Sequence, residues 1–118
     1  MLVYIAGPIR GMHNYNQLAF YQAQKRLEQL GHEVINPIQM DLDHDGEINA
    51  CTNQLVYARR DAGEILSRPI DAIYMLAGWS NSVGSKAELA LAQWIGAKVW
   101  LEDPNETTAI LEVDLEDD

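Results

Sequence analysis

The sequence predicts an α/β fold, a flavodoxin-like (Rossmann-like) three-layer sandwich around a parallel sheet in the order 2-1-3-4. Short apolar runs typical of buried strands alternate with longer segments of helical periodicity. Gly or Pro stands at most junctions between them. The chain has 118 residues, enough for one domain with a hydrophobic core and too few for two. Because strands that alternate with helices are joined by right-handed crossovers, they form a parallel sheet covered on both faces.

The first half of the chain contains two strands separated by a helix. Residues 2–6 are a short apolar run ended by Gly7, which predicts a buried strand. Residues 14–31 are predicted to be helical, with Gly31 just beyond the last turn. The apolar residues of this helix recur at i, i+3, i+7 and i+10: Phe20, Ala23, Leu27 and Leu30. Residues 32–37 form the second strand, which ends at a proline.

The second half continues the alternation. Residues 38–50 are predicted to form a polar loop, and residues 51–67 a second helix. The apolar face predicted for this helix consists of Leu55, Ala58, Ala62 and Leu66. Residues 70–78 form the third strand, which is apolar almost throughout and therefore central. Residues 84–97 form a third helix, apolar nearly all round and so expected to be well buried, and residues 98–102 form the fourth strand.

Negative charge is concentrated at the C-terminus. The net charge is −10, and residues 101–118 hold eight acidic residues and no Lys or Arg. The rest of the chain has ten acids and eight bases, a net charge of −2. We expect one domain over residues 1–112 and a solvated acidic tail over residues 113–118. The pattern over about 105–112 is compatible with a short amphipathic helix, a fifth element at the C-terminus.

These properties exclude several classes of protein. No apolar stretch is long enough to cross a membrane, and the N-terminus lacks the basic start of a signal peptide. Cys51 is the single cysteine, which excludes an internal disulfide and a multi-cysteine zinc site and favours a cytoplasmic location. No basic stripe is present, so duplex nucleic acid is not an expected partner. His13, His32 and His44 have no metal-ligand spacing.

An acidic segment at 41–52 partly matches a calcium-binding loop. The first, third, fifth and sixth positions of an EF-hand loop are filled by Asp41, Asp43, Asp45 and Gly46. Position 12 is Thr52 instead of the bidentate Glu, and the segment before the loop is predicted to be a strand rather than a helix. We therefore interpret this segment as a polar turn that forms part of the rim of a ligand site.

Two loops meet at the point where the predicted strand order reverses, and ligands of open parallel sheets bind at such a point. The first loop, GPIRGMHN, follows the first strand. Its Gly7 and Gly11 allow the backbone to approach a ligand, and Arg10 adds positive charge. The second loop, GWSNSVGSK, enters the third helix, where Ser82 supplies a hydroxyl and Gly84 gives space. The glycine spacing of the first loop matches neither the Walker loop nor the dinucleotide fingerprint.

Glu88 has two alternative roles in this arrangement. Ser85 and Glu88 are three residues apart, the spacing of a capping box, and spacing by itself favours this interpretation. In the other interpretation Glu88 is a reactive carboxylate near the start of the helix, where the macrodipole stabilises its ionised form.

Other residues also allow two interpretations. Tyr4 on the first strand either fills the core or donates a hydrogen bond that orients Glu88. Asp61 borders the apolar face of the second helix, where it is either a surface charge or a group that faces a pocket. Trp79 either stacks on a base or closes the site, and Trp94 and Trp100 are typical of core or subunit-interface positions.

These residues together resemble the nucleoside 2-deoxyribosyltransferase superfamily. The features that carry the resemblance are YIAGPIRG at the end of the first strand, an Asp late in the second helix, and Ser-x-Gly-x-x-x-Glu at the start of the third. The chain is most similar to the 2′-deoxynucleoside 5′-monophosphate N-hydrolase branch. That branch has a Tyr-x-x-Gly-x-Ile-Arg-Gly loop, matched here by Tyr4, Gly7, Ile9, Arg10 and Gly11. The resemblance extends over roughly residues 3–101.

The resemblance implies cleavage of the N-glycosidic bond of a deoxynucleoside 5′-monophosphate, by hydrolysis or by transfer to a second base. It implies Glu88 as the nucleophile at C1′, Tyr4 as the group that orients it, and Asp61 as the acid that assists departure of the base. The residues implied to hold the 5′-phosphate are Gly7, Ile9, Arg10, Gly11, Ser82 and Gly84. No metal and no organic cofactor are implied, and the protein is expected to form a homodimer or a higher homo-oligomer.

Two other functions remain open from the sequence. A non-catalytic nucleotide-binding or sensing module on the same fold would keep the glycine–arginine loop and Ser82 and use Glu88 only as a cap. A small acidic interaction protein would instead act through the tail over residues 102–118.

Overall fold

The computed structural model describes residues 1–48, 54–102 and 110–113. The strands are β1 (Leu2–Ala6), β2 (Glu33–Ile35), β3 (Ala72–Met75), β4 (Lys98–Glu102) and β5 (Ile110–Val113). The first four pair in parallel in the order β2-β1-β3-β4, which confirms the predicted α/β topology. β5 pairs antiparallel with β4. The short helix expected over about 105–112 is therefore wrong where its end overlaps β5, and residues 103–109 lie outside the described part.

Four α-helices cover the sheet: α1 (Gln17–Gln29), α2 (Pro37–Asp45), α3 (Gln54–Ser67) and α4 (Val83–Trp94). Short 3₁₀ turns precede α1 at His13–Asn16 and α4 at Trp79–Asn81. α1 begins three residues later than expected because Asn14, Tyr15 and Asn16 have left-handed φ values of 50°, 56° and 61°. None of the helices in the described ranges is long and apolar enough to cross a membrane.

Two hydrophobic cores lie on opposite faces of the sheet. Because side chains alternate along a strand, Val3 and Ile5 of β1 pack on one face with Phe20 and Leu27 of α1. The intervening residues face the other core, whose members include Tyr4, Ala6, Ile65, Ile73, Met75 and Leu89. Strand alternation thus directs Tyr4 towards the α3–α4 side of the sheet.

The polar loop expected over 38–50 is wrong for most of its length, because α2 occupies Pro37–Asp45. Asn36 caps this helix: its Oδ1 accepts a hydrogen bond from the Ile38 N–H at 3.0 Å, and Pro37 takes the first helical position. The proline that ends the strand therefore also starts a helix. The EF-hand match fails for the same reason, since its first five positions are helical instead of wrapping round an ion. Residues 49–52 of the matched segment lie outside the described part.

The face predicted for α3 is also wrong. Leu55 and Leu66 are 53% and 51% exposed, whereas Tyr57 and Ile65 are buried. The apolar residues of this helix lie on more than one face: Ile65 packs in the core, Tyr57 lines the cavity described below, and Val56 is exposed with Leu55 and Leu66. Asp61 lies between Tyr57 and Ile65 at four-residue spacing, so it belongs to the buried face.

The expectation that the third helix is well buried is wrong for one side of α4. Val83 and Trp94 are 81% and 79% exposed, and Ala87 and Ala90 on the same side are also exposed. The opposite side, with Leu89 and Ala92, packs on the sheet. Trp100 lies in the core on the α1 side of the sheet, one of the two positions predicted for it. Trp79 is partly buried and packs against the other core.

Candidate active site

A cavity of about 310 Å³ opens at the carboxyl end of the parallel strands, between the loop after β1 and the N-terminus of α4. Helices α2 and α3 form its remaining wall. Seven of the nine site residues predicted from the sequence line it: Gly7, Ile9, Arg10, Asp61, Ser82, Gly84 and Glu88. The predicted meeting of the two loops at the switch point is confirmed.

Glu88 points away from the start of its own helix. Its Oε2 accepts a hydrogen bond from the Tyr4 hydroxyl, which rises from β1 beneath the cavity. The capping box of Ser85 with Glu88 is wrong, because the N-cap of α4 is Ser82, whose Oγ accepts from the Ser85 N–H at 3.2 Å. The spacing in the sequence predicted a capping box that begins at Ser85, one turn later than the observed cap at Ser82. The side chain of Glu88 is thus free of a capping role.

The pKa of Glu88 is raised to about 8, first by burial, which penalises the charged carboxylate, and then by the negative charge of Asp61. The hydrogen bond from Tyr4 opposes this rise because it favours the ionised form. The expectation that the macrodipole keeps Glu88 ionised therefore does not hold. Glu88 lies in the second turn of α4, beyond the range at which the helix terminus outweighs burial.

Asp61 is the second carboxyl group of the cavity. Its Oδ1 is buried and has no hydrogen-bond partner within the described ranges. Its pKa is raised to about 7, chiefly by burial and next by the charge of Asp41, while Arg60 acts in the opposite direction. A buried carboxyl oxygen that faces a cavity without a partner is a group available to a ligand.

The glycine–arginine loop, residues 7–14 after β1, contains two glycines that the backbone requires and an arginine that faces the cavity. Gly7 is required by packing, since a Cβ there would lie 2.8 Å from the Leu76 Cβ and Cδ1 atoms. Gly11 lies outside the cavity wall and adopts a φ of +77°, which turns the chain towards α1. Arg10 lies over the Tyr57 ring at 5.7 Å and contributes the positive charge of the cavity mouth. Only Ile9 and Arg10 of this loop match the predicted ligand-facing role directly.

The wall also contains Asp41, Tyr57 and Ser85, to which the sequence assigned no ligand-facing role of their own. Asp41 does belong to the segment interpreted as part of the rim of the site. Asp41 was assigned to a loop, and only recognition of the Asn36–Pro37 helix start places it on a buried face. Tyr57 lies between two guanidinium groups, with that of Arg60 at 5.5 Å from its ring. Ser85 was taken as the cap, whereas its Oγ is buried at the cavity without a partner among the residues described.

Arg60 links α3 to α2 beside the cavity. It donates to both carboxylate oxygens of Asp45, at 3.1 and 3.3 Å, and to Asp41 Oδ1 at 3.3 Å. Its positive charge therefore neutralises only part of the acidic wall formed by Asp41, Asp61 and Glu88. Within the described ranges no group of three His, Cys, Asp or Glu side chains could hold a metal ion.

The comparisons with known proteins define the family of the chain and not its chemistry. No protein with a curated function matches it. Residues 1–101, which include all of β1 to α4 and most of β4, match a family described as a domain of unknown function, DUF4406. Because this match covers well over half of the chain, the protein belongs to the DUF4406 family.

Proposed function

We propose that this protein cleaves the N-glycosidic bond of a deoxynucleoside 5′-monophosphate and releases the free base. The observation that carries the proposal is the pair of carboxyl groups on one cavity, Glu88 held by Tyr4 and Asp61 with an unpartnered buried oxygen. Glycosidic cleavage passes through a cationic sugar, and a carboxylate beside C1′ together with an acid beside the leaving group is the arrangement that such chemistry uses.

The charge distribution supports a nucleotide bound in one direction. The N-terminus of α4 and Arg10 form the positive end of the cavity, which suits the 5′-phosphate. Asp41 and Asp61 form the negative end, which would repel a phosphate and accept hydrogen bonds from a base. The sugar then lies between these ends, where Glu88 is found.

The proposed reaction has two steps. A Glu88 oxygen attacks C1′ and forms an ester bond to the sugar while the C1′–N bond breaks. The bonding electrons leave with the base nitrogen, which receives a proton from Asp61. In the second step water attacks C1′, its proton passes to the Asp61 carboxylate, and the Glu88 carboxylate is released. A second base in place of water gives transfer instead of hydrolysis.

The proposed roles require one proton on the pair of carboxyl groups. Burial raises the pKa of both groups and the charge of Asp61 raises that of Glu88 further, so the pair retains at least one proton near neutral pH. The productive arrangement places that proton on Asp61 and the negative charge on Glu88. The Tyr4 hydrogen bond favours this arrangement because it stabilises the ionised form of Glu88.

The test is a panel of deoxynucleosides and their 5′-monophosphates, each incubated with the protein and analysed by chromatography for free base. We expect release from at least one monophosphate and a loss of more than about 10³-fold in Glu88→Ala and Glu88→Gln. Glu28→Gln on the exposed side of α1 is the matched control and should keep full activity. Equal activity in wild type and Glu88→Gln would remove Glu88 as nucleophile. Addition of a second free base distinguishes transfer from hydrolysis.

A second candidate, a non-catalytic nucleotide-binding module, is favoured by one observation. The raised pKa of Glu88 leaves it largely protonated at neutral pH, and a protonated carboxyl group is no nucleophile. In that case nucleotides would raise the melting temperature without any release of base, at every pH tested up to 9.

The proposed enzyme is a homo-oligomer whose contact includes the exposed apolar side of α4. That side consists of Val83, Ala87, Ala90 and Trp94 at helical spacing. Contiguous apolar surface of this kind is typical of a protein contact.

A further inference from the structure

The acidic end of the cavity contains a buried carboxylate that the proposed reaction does not use. Asp41 is 3% exposed and lies on the face of α2 that also buries Pro37 and Ile38. Burial of a charged group is unfavourable unless it has a partner, and the ion pair that Asp41 forms within the described ranges is a single contact to Arg60 at 3.3 Å. Arg60 makes its two-pronged contact with Asp45 instead.

The order of the carboxyl groups places Asp41 far from the sugar. Helix α3, which carries Asp61, packs against α4, which carries Glu88. On its other side α3 contacts α2, because Arg60 donates to Asp41, so Asp61 lies on the helix between the other two. A base attached at C1′ beside Glu88 therefore extends past Asp61 towards Asp41. Its far edge, which is C4 of a pyrimidine or C6 of a purine, meets the Asp41 carboxylate.

Unpartnered polar atoms show that this cavity is built for a polar ligand. Asp61 Oδ1 is one of them, and Ser85 Oγ, on a residue only 1% exposed, is another; neither has a partner within the described ranges. Both residues line the same cavity as Asp41. Buried polar atoms normally have partners, so a ligand that supplies them completes the site.

From this arrangement we infer that Asp41 selects nucleotides whose base carries an amino group at the far edge, cytosine and adenine, over the corresponding oxo bases, uracil and hypoxanthine. The inference rests on the proposed function for the orientation of the nucleotide. Burial raises the pKa of Asp41, and the charge and hydrogen bond of Arg60 oppose that rise. In its ionised form this carboxylate only accepts hydrogen bonds. It therefore pairs with an amino group and repels a carbonyl oxygen in the same place.

Two matched pairs of substrates test the inference, because each pair differs only in that group: dCMP against dUMP, and dAMP against dIMP. We expect kcat/KM to favour the amino member of at least one pair by about tenfold or more. In Asp41→Asn the amide can turn its NH₂ towards a carbonyl oxygen, so the ratio should fall to near one. Asp45→Asn is the control, because Asp45 has the same charge on the same helix and the same Arg60 but lies outside the cavity wall. It should keep the wild-type ratio.

Equilibrium binding of the same nucleotides to Glu88→Gln, with and without Asp41→Asn, separates this inference from the proposed reaction. Release of base with a ratio below about threefold, or with a ratio that Asp41→Asn leaves unchanged, overturns the inference and keeps the reaction. Binding that favours the amino nucleotides and depends on Asp41, without any release by the wild type, keeps the inference and overturns the reaction. If the protein neither releases a base nor binds any of these nucleotides, the inference and the proposed reaction are both overturned. The wild-type ratio decides the matter if Asp41→Asn does not fold.

Discussion

At the scale of single residues, the site depends on where three side chains point. Tyr4 faces the cavity side of the sheet because strand alternation places it there, and its hydroxyl meets Glu88. Asp61 faces the same cavity because it shares the buried side of α3 with Tyr57 and Ile65. Burial then shifts the pKa of both carboxyl groups upwards, so their protonation becomes a property of the pair.

Tyr4→Phe should shift the pH profile of base release without creating a cavity in the core. The ring remains, but Glu88 loses a hydrogen bond that lowers its pKa, so that pKa rises further. The acid limb of kcat/KM should therefore move up by about one to two pH units, since a hydrogen bond to a charged group contributes about 1.5–3 kcal/mol. Tyr21→Phe, whose hydroxyl donates to Gln39 at 2.9 Å away from the site, should leave the profile unchanged.

Glu88→Gln should stabilise the protein at alkaline pH. The folded-state pKa of Glu88, about 8, lies above the value near 4.3 of an unfolded chain, so the native state binds the proton more tightly. That contribution to stability is complete below about pH 4 and is lost as the pH rises to about 8. Because Gln has no group that titrates, the variant does not lose stability in this way as the pH rises. We expect the free energy of unfolding of the variant to gain about 4 kcal/mol on that of wild type between pH 5 and 8.5, measured by urea unfolding at both pH values. If the difference in unfolding free energy between the variant and wild type is the same at both pH values, the raised pKa of Glu88 is contradicted.

At the scale of elements, the cavity depends on helices that begin in the right place. Ser82 caps α4 one turn earlier than the sequence suggested, which frees Glu88 and leaves Ser85 Oγ at the cavity. Asn36 starts α2 directly after β2, and this brings Asp41 to the wall. The starts of α2 and α4 and the buried face of α3 thus form the site.

Asn36→Ala should destabilise the fold by about 1–3 kcal/mol. The variant loses the cap of α2 and also the hydrogen bond from Asn36 Nδ2 to Gln24 Oε1 at 2.9 Å, which joins α2 to α1. The urea midpoint measures the loss. Gln24→Ala removes only the second bond, so it should cost less than Asn36→Ala; an equal cost would show that the cap contributes nothing.

At the scale of the whole molecule, the exposed apolar side of α4 begins at the cavity, since Val83 belongs to both. An association across this side would therefore place a second copy next to the site. Charge does not oppose it strongly, because outside the C-terminal segment the chain has a net charge of only −2.

Trp94→Glu should convert the protein into a monomer. The substitution puts a charge into the apolar side of α4 but leaves the core intact, because Trp94 is almost fully exposed. Light scattering coupled to gel filtration measures the molar mass. Leu18→Glu, an equally exposed apolar position on α1, is the control and should keep the oligomer. A wild-type protein that is monomeric at about 50 μM would contradict the proposed contact.

The sequence by itself determined the order of the elements, the parallel sheet and the meeting of two loops at its switch point. These follow from local apolar runs, helical periodicity and the handedness of crossovers, which are properties of short segments. Tertiary structure decided which face of α3 is buried, that Asn36 and Pro37 start a helix, and that Glu88 contacts Tyr4 rather than its own helix start. It also brought Asp41 to the cavity. Each of these depends on packing between segments far apart in the chain, where several local solutions are close in energy and contact with the sheet selects one.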